Sequence, residues 1–223
     1  MLALHGWRRS YSDFDAMFGN DLDGIAIDLP GFGATPPPPE PWGSAAYARA
    51  VLPVLGEMAP SVVVVGHSFG GRVAAHLAAA APEQVQGLVL TGSPLVRTTD
   101  GAWWPRMRTR IGKRVARHHL LPEAQLESAR QRYGSIDYRA ADGVMRDVLV
   151  EILDEDYAEQ LSAISCPVEL VWGDDDAEAP LVGAELLQQA LANAKLTVCP
   201  GAGHLTPITE PDQLRAAVDR LLT

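Results

Sequence analysis

The feature that most constrains the fold is the stretch from Val62 to Ala81, VVVVGHSFGGRVAAHLAAAA. Four consecutive valines are typical of a strand that is buried on both faces, and the alanine-rich run after Arg72 is typical of a helix. Only the six residues GHSFGG separate the two. So short a corner, with glycines on both sides of Ser68, indicates either a plain connection or a turn that holds the serine in a strained conformation.

Apolar, strand-like segments alternate with helix-like segments along most of the chain. The predicted strands are Met1 to His5, Gly24 to Leu29, Val62 to Val65, Gln86 to Thr91, Pro167 to Trp172 and Lys195 to Cys199. Continuous apolar strands that alternate with helices predict the α/β class, with a parallel sheet covered on both faces. A chain of 223 residues suits one domain, 1–223.

The segment 94–165 departs from this alternation because it contains no convincing strand. Between Arg97 and Arg117 the sequence has seven basic residues and a single acid, Asp100. Ligands of open α/β sheets bind at the carboxyl ends of the strands, so helices inserted there would cover the ligand. We therefore expect 94–165 to form a helical lid.

Composition and charge exclude several classes of protein. The formal net charge of −10 disfavours nucleic acid as a partner, because a phosphate backbone attracts basic surfaces. The sequence has no apolar run of about twenty residues that would span a membrane and no secretory signal pattern, so we expect a soluble, cytoplasmic protein. Cys166 and Cys199 are expected at opposite ends of the sheet, too far apart for a disulfide, and no His or Cys spacing predicts a metal site.

The corner at Ser68 matches the pattern G-x-S-x-G in a strand-to-helix setting, where the serine is held as an exposed nucleophile. A plain connection would not need backbone strain of about 1–3 kcal/mol. A serine hydroxyl also requires a base and an orienting acid. His204 follows the last predicted strand, and the run Asp174 to Asp176 follows the strand before it. Serine, aspartate and histidine therefore occur in the chain order of α/β-hydrolase triads.

The chain resembles the α/β-hydrolase superfamily over nearly its whole length apart from the predicted lid. The motifs that carry the resemblance are LHGW, DLPGFG, GHSFGG, WGDDD and GAGHLTPITEP, which occur in the order of the family. The resemblance implies the α/β-hydrolase fold and a catalytic triad of Ser68, His204 and Asp176. Asp176 is preferred because it completes G-x-x-D from Gly173, and the two preceding aspartates are its competitors.

The resemblance also implies an oxyanion hole made by two backbone N–H groups. One belongs to Phe69, the residue after the nucleophile, and the other to Trp7, the residue after the His-Gly of the first strand. Removing one such donor typically lowers the rate about 10²- to 10³-fold. Because the backbone supplies the hydrogen bonds, the side chains of Phe69 and Trp7 are expected to shape the pocket.

Most members of the family have two strands before the His-Gly turn, whereas Met1 already lies in the strand that leads to it here. We therefore expect a mostly parallel sheet of about six strands, in which the strand GIAIDL is an exposed apolar edge. Exposed edges invite pairing with another chain. Two explanations follow: either the protein forms a homodimer through this edge, or the given sequence lacks its true beginning.

The activity implied by the resemblance is hydrolysis of small-molecule carboxylic esters through an acyl-enzyme, with no metal or organic cofactor. The Met, Leu and Trp residues of 94–165 favour an apolar substrate group. Its arginines would instead suit an anionic group, as in the pimeloyl carrier-protein methyl ester esterases that LHGW and DLPGFG resemble. Thioesterase, lactonase, C–C bond hydrolase and perhydrolase activities would use the same residues. A ligand receptor that retains the hydrolase pocket without turnover is an alternative of another class.

Overall fold

The computed structural model describes residues 1–97 and 136–222. Within these ranges, one sheet has six strands in the order β2-β1-β3-β4-β5-β6, and every neighbouring pair is parallel. The strands are β1 (Leu2–Leu4), β2 (Ile25–Ile27), β3 (Val62–His67), β4 (Val85–Thr91), β5 (Val168–Gly173) and β6 (Ala194–Cys199). The predicted α/β class and the predicted number of strands are confirmed.

The described helices follow the strands in the expected alternation. They are α1 (Asp15–Phe18), α2 (Ser44–Glu57), α3 (Phe69–Ala80), α4 (Ile136–Ala140), α5 (Gly143–Asp154), α6 (Ala158–Ala163), α7 (Leu181–Ala190), α8 (Thr206–Thr209) and α9 (Pro211–Leu222). A single 3₁₀ turn, Tyr11–Phe14, precedes α1. No helix in the described ranges is long and apolar enough to cross a lipid bilayer.

The valines of β3 show how the sheet is covered on both faces. Val62 and Val64 pack in one buried cluster with residues of α2, α3 and α5, whereas Val63 and Val65 pack in a second cluster with residues of α1 and α9. Successive side chains of a strand point to opposite faces, so an uninterrupted apolar run is required when both faces are buried. This explains why the sequence pattern predicted β3 so clearly.

One charged residue lies within the apolar run of β5. Glu169 is 6 % exposed, and its carboxylate accepts a hydrogen bond of 2.6 Å from the Arg220 guanidinium of α9. A buried carboxylate is tolerated when a cation pairs with it. The same bond attaches α9 to the sheet, and it raises the pKa of Arg220 above its ordinary value.

The strand β2 lies at one edge of the sheet and pairs with β1 through Leu2 and Ile25. No other strand in the described ranges pairs with it. The Ile25 side chain is 40 % exposed. The expectation that GIAIDL forms an exposed apolar edge is therefore confirmed.

The predicted lid, 94–165, falls largely on residues that the structure does not describe. Residues 98–135, with the basic run from Arg106 to Arg117, lie outside the described ranges. The described part of the segment contains α4, α5 and α6, and Arg97 donates hydrogen bonds to the carbonyl groups of Asp154 and Glu155, at 2.8 and 3.2 Å. A covering role for this segment stays a prediction.

Candidate active site

The corner between β3 and α3 holds Ser68 in an unusual backbone conformation. Its φ is 50° and its ψ is −110°, in a region that residues other than glycine rarely adopt. Such a conformation costs about 1–3 kcal/mol and persists only where the surroundings enforce it. Here the Ser68 N–H donates to the carbonyl of Thr91 at 2.9 Å, which ties the corner to the end of β4.

Two glycines allow the chain to close around Ser68. A Cβ atom at Gly66 would lie 2.5 Å from the Cα of Gly71, and a Cβ atom at Gly70 would lie 2.7 Å from the carbonyl oxygen of His5. Real Cβ atoms do not approach backbone atoms so closely. The first glycine therefore lets α3 fold back against β3, and the second lets α3 approach the end of β1.

The structure brings Ser68, His204 and Asp176 into one chain of hydrogen bonds. The Ser68 Oγ lies 3.0 Å from His204 Nε2, and the two carboxylate oxygens of Asp176 lie 3.0 and 2.8 Å from His204 Nδ1. A carboxylate accepts only, so Nδ1 carries the proton in the neutral imidazole and Nε2 is free to accept from the serine hydroxyl. An arrangement of this kind can activate a serine as a nucleophile.

Asp176 is buried and held in place by the backbone that follows it. Its side chain is 1 % exposed, and Oδ1 accepts hydrogen bonds from the N–H groups of Glu178 and Ala179, at 2.9 and 2.7 Å. The competing acids have other roles, since Asp174 accepts from the Gly201 N–H at 2.6 Å and Asp175 is exposed. Of the three aspartates, Asp176 is the one that contacts His204.

The loop that carries His204 is fixed by a second histidine. His67 Nε2 donates to the carbonyl oxygen of His204 at 2.9 Å. Gly92 has a φ of +55°, and a Cβ atom there would lie 2.9 Å from His204 Cε1. This contact crosses from the corner that carries His67 to the loop after β6. Sequence alone gave no signal for this bond, because 137 residues separate the partners.

The predicted oxyanion donors belong to two segments that meet at Ser68. A Cβ atom at Gly6 would lie 3.3 Å from the Ser68 Cβ, so the turn that contains the Trp7 N–H passes beside the serine. The Phe69 N–H is the first of α3 and has no partner within the helix. In the described ranges, no backbone carbonyl accepts from either N–H. Both donors are therefore free to bind a substrate oxygen.

His5 fixes the turn that follows β1. Its Nδ1 donates to the Gly6 carbonyl at 2.7 Å, and its Nε2 accepts from the Leu29 N–H at 3.0 Å. This pair of bonds defines the tautomer and joins the ends of β1 and β2. Burial lowers the pKa of His5, which favours the neutral ring.

A cavity of about 290 Å³ adjoins the Trp7 turn. Its lining combines apolar side chains, among them Trp7, Phe32 and Met145, with the charged residues Arg8, Arg9 and Asp142. The Arg9 guanidinium donates to Asp13 at 2.6 Å, so its charge is paired. The cavity lies beside one predicted oxyanion donor and can hold part of a small ligand.

A further acid, Glu178, lies at the site and was missed by the sequence interpretation. Its Oε2 is 3.5 Å from His204 Nε2, on the nitrogen that faces Ser68. The Glu178 side chain is 69 % exposed. Its position two residues after Asp176 was the available signal, but sequence spacing does not tell where an exposed side chain points.

Known proteins share this sequence pattern and this fold. A model of the alpha/beta hydrolase family matches residues 1–217. A pimeloyl-[acyl-carrier protein] methyl ester esterase from Nitrosomonas europaea is 27 % identical, with 99 % of this chain and 94 % of that protein aligned. Lipase LipV from Mycobacterium tuberculosis is 34 % identical, with 88 % of this chain and 70 % of that protein aligned.

Solved structures of other proteins share the fold of this chain. A membrane phospholipase A superposes with a TM-score of 0.75 and 21 % identity, over 99 % of this chain and 77 % of that chain. A thermophilic esterase from Thermogutta terrifontis superposes with a TM-score of 0.70 and 24 % identity, over 99 % of this chain and 88 % of that chain. The chain belongs to the alpha/beta hydrolase family. It is a hydrolase of the carboxylesterase-like kind.

The pKa of His67 generates a prediction about stability. Burial, and next the charge of His204, lower this pKa from 6.5 to about 3. Below pH 6.5, His67 therefore binds a proton in the unfolded chain but stays unprotonated in the folded chain until the pH approaches 3. The free energy of unfolding consequently decreases as pH falls. Relative to His67→Gln, which keeps a donor but does not titrate, the wild type should lose about 2 kcal/mol of unfolding free energy between pH 7 and pH 5.

Urea unfolding of the two proteins at pH 7, 6 and 5 measures this difference. The wild-type curve should fall more steeply with decreasing pH than the His67→Gln curve. Two curves that stay parallel over this range would contradict the buried, neutral state of His67.

Proposed function

We propose that the protein hydrolyses carboxylic esters through an acyl-enzyme, with Ser68 as nucleophile, His204 as general base and Asp176 as the orienting acid. The observation that carries this proposal is the continuous chain of hydrogen bonds from Ser68 Oγ through the imidazole to the buried carboxylate. The strained φ of Ser68 supports it, because such strain is concentrated at functional positions.

In the acylation half, His204 Nε2 accepts the proton of Ser68 as Oγ attacks the ester carbonyl. The carbonyl oxygen becomes an oxyanion, which the N–H groups of Trp7 and Phe69 stabilise. His204 then gives its proton to the leaving alcohol, and the acyl group stays on Oγ. Asp176 stabilises the imidazolium and holds the tautomer that leaves Nε2 free at the start.

Deacylation repeats these steps with water. His204 Nε2 accepts a proton from water, the resulting hydroxide attacks the acyl carbonyl, and the same two N–H groups hold the oxyanion. The proton returns from His204 to Ser68 Oγ as the acid departs. Every proton in this cycle moves through Nε2, so no metal or organic cofactor is required.

The proposed substrate is a small ester with an apolar acyl group. The side chains of Trp7, Phe32 and Met145 in the cavity lining support this choice, since the proposed oxyanion donor at Trp7 would place the acyl carbonyl next to them. The aligned relatives are an esterase of a carrier-protein methyl ester and a lipase, both enzymes that act on esters. Thioesters, lactones and C–C bonds would meet the same three residues, so they belong in the same substrate panel.

Substitution of the three residues tests the proposal. Ser68→Ala should abolish turnover of p-nitrophenyl butyrate, because no nucleophile remains. Asp176→Asn should lower kcat by about 10³- to 10⁴-fold, because an amide donor would favour the wrong imidazole tautomer. Asp175→Asn is the matched control and should keep activity within about twofold, since this exposed side chain does not contact His204.

Stopped-flow release of p-nitrophenol measures each rate, and circular dichroism checks that each variant is folded. Turnover that survives in Ser68→Ala would contradict the proposed nucleophile. A wild-type protein that binds esters but turns over no member of a panel of esters, thioesters and lactones would instead support the receptor alternative.

We also propose that two copies of the chain associate through β2. On the side of β2 that faces β1, the Ile25 N–H donates a hydrogen bond of 3.0 Å to the carbonyl oxygen of Met1. N–H groups of successive residues in a strand point to opposite sides, so the Ala26 N–H points away from β1. Together with the exposed Ile25 side chain, this leaves an edge suited to pairing with a second copy.

Sedimentation velocity tests the association. The wild type should sediment as a dimer, whereas Ala26→Pro should sediment as a monomer, because proline removes the outward N–H without affecting the bond to β1. Retained esterase activity in Ala26→Pro serves as the folding control. A monomeric wild type at micromolar concentration, or a dimer that persists in the proline variant, would refute pairing through β2.

A further inference from the structure

Two carboxylates face the imidazole of His204 from opposite nitrogens. Asp176 contacts Nδ1 at 2.8 Å, and Glu178 Oε2 lies 3.5 Å from Nε2. Asp176 has a place in the proposed mechanism, whereas Glu178 has none so far. A role for Glu178 rests on the proposed function, in which Nε2 is the atom that carries protons between Ser68 and the substrate.

The backbone fixes Glu178 relative to the other residues of the site. Its N–H donates to Asp176 Oδ1 at 2.9 Å, so the main chain of Glu178 is tied to the acid that orients His204. Its side chain is 69 % exposed, and its Oε2 reaches to 3.5 Å from Nε2. In the described ranges, His204 Nε2 is the one side-chain nitrogen of a basic residue that lies within 4 Å of this carboxylate, and the two form an ion pair only when Nε2 carries a proton. Its negative charge thus lies close to Nε2 and is open to a ligand.

The mechanism decides which half of the ester meets this charge. His204 must give its proton to the oxygen of the departing alcohol, so that oxygen has to lie within hydrogen-bonding distance of Nε2. Glu178 lies beside the same nitrogen. The alcohol half of the ester therefore lies beside the Glu178 carboxylate. The cavity lined by Arg8 and Trp7 instead lies beside the proposed oxyanion donor.

We propose that Glu178 is a specificity-determining residue that selects the charge of the alcohol half of the substrate. The site prefers esters whose alcohol carries a cationic group over neutral esters of the same shape, and it disfavours alcohols that carry an anionic group. The physical cause is Coulomb attraction or repulsion by a partly exposed carboxylate, which changes kcat/KM by on the order of three- to tenfold. Salt weakens such interactions at exposed positions.

Three butyrate esters test this preference: butyrylcholine, its neutral isostere 3,3-dimethylbutyl butyrate, and the anionic 3-sulfopropyl butyrate. Proton release in a pH-stat gives kcat/KM for each ester with the wild type, Glu178→Gln and the control Glu185→Gln. Glu185 is an exposed acid on α7, so its replacement makes the same change in net charge elsewhere. The measured quantities are the cationic-to-neutral and anionic-to-neutral ratios, in which any common effect of a substitution on catalysis cancels.

In Glu178→Gln, the cationic-to-neutral ratio should fall about three- to tenfold and the anionic-to-neutral ratio should rise by a similar factor. Both changes should shrink in 0.5 M NaCl, since the Debye length falls to a few ångströms. Glu185→Gln should leave both ratios as in the wild type. Ratios that do not change in Glu178→Gln, or that change equally in Glu185→Gln, overturn the proposal.

A second measurement separates this proposal from the proposed function. Diethyl phosphorothiolates with a cationic thiocholine or a neutral 3,3-dimethylbutanethiol leaving group phosphorylate an activated serine without a need for ester turnover, and intact mass reports the rate. Loss of the mass increase in Ser68→Ala supports the proposed nucleophile, and an increase that persists there overturns it together with the role of Glu178. If the increase requires Ser68 but the cationic-to-neutral ratio is the same in Glu178→Gln, the role of Glu178 alone is overturned.

Discussion

The parallel alignment of β3, β5 and β6 is the constraint on which the rest of the site depends. Ser68, Asp176 and His204 each follow the carboxyl end of one of these strands, so a parallel sheet delivers all three to the same edge. In the chain, 136 residues separate Ser68 from His204. Antiparallel pairing of either late strand would carry its loop to the opposite edge and leave the serine without a base.

Contacts with the ends of two strands, β4 and β1, maintain the strained conformation of Ser68. The carbonyl of Thr91 at the end of β4 accepts its N–H, and the end of β1 approaches Gly70 so closely that a side chain there would not fit. All residues of β3 are buried. The free energy gained by burying its side chains is large compared with a backbone strain of about 1–3 kcal/mol at Ser68. The core thus stabilises a corner that would not form as an isolated turn.

The elements that the sequence predicted well are those whose residue pattern follows directly from burial or from a tight backbone turn. The valine run required a strand covered on both faces, and the glycines around Ser68 required a tight corner before a helix. The sequence also predicts a helix around Ser12 to Gly19, since Asp13 and Asp15 suit its first turn. The structure instead has a 3₁₀ turn followed by the four-residue α1 there, because the segment is too short to sustain a regular helix.

The features that escaped prediction depend on where loops and exposed side chains point. The G-x-x-D spacing favoured Asp176 over its neighbours, but the physical reason is that Asp174 binds the Gly201 N–H whereas Asp176 turns inward to His204. The bond from His67 to the His204 carbonyl and the approach of Glu178 to Nε2 join residues whose proximity only the folded loops define. No local pattern encodes either contact.

The most direct test of the account is to identify the atom that carries the acyl group during turnover. The protein would be mixed with p-nitrophenyl butyrate, quenched in acid within milliseconds, digested and mapped by mass spectrometry. The account predicts a transient butyryl group on the peptide that contains Ser68, formed at the rate of the p-nitrophenol burst and lost at the steady-state rate. A butyryl group on a different residue, or turnover with no covalent intermediate at any quench time, would contradict it.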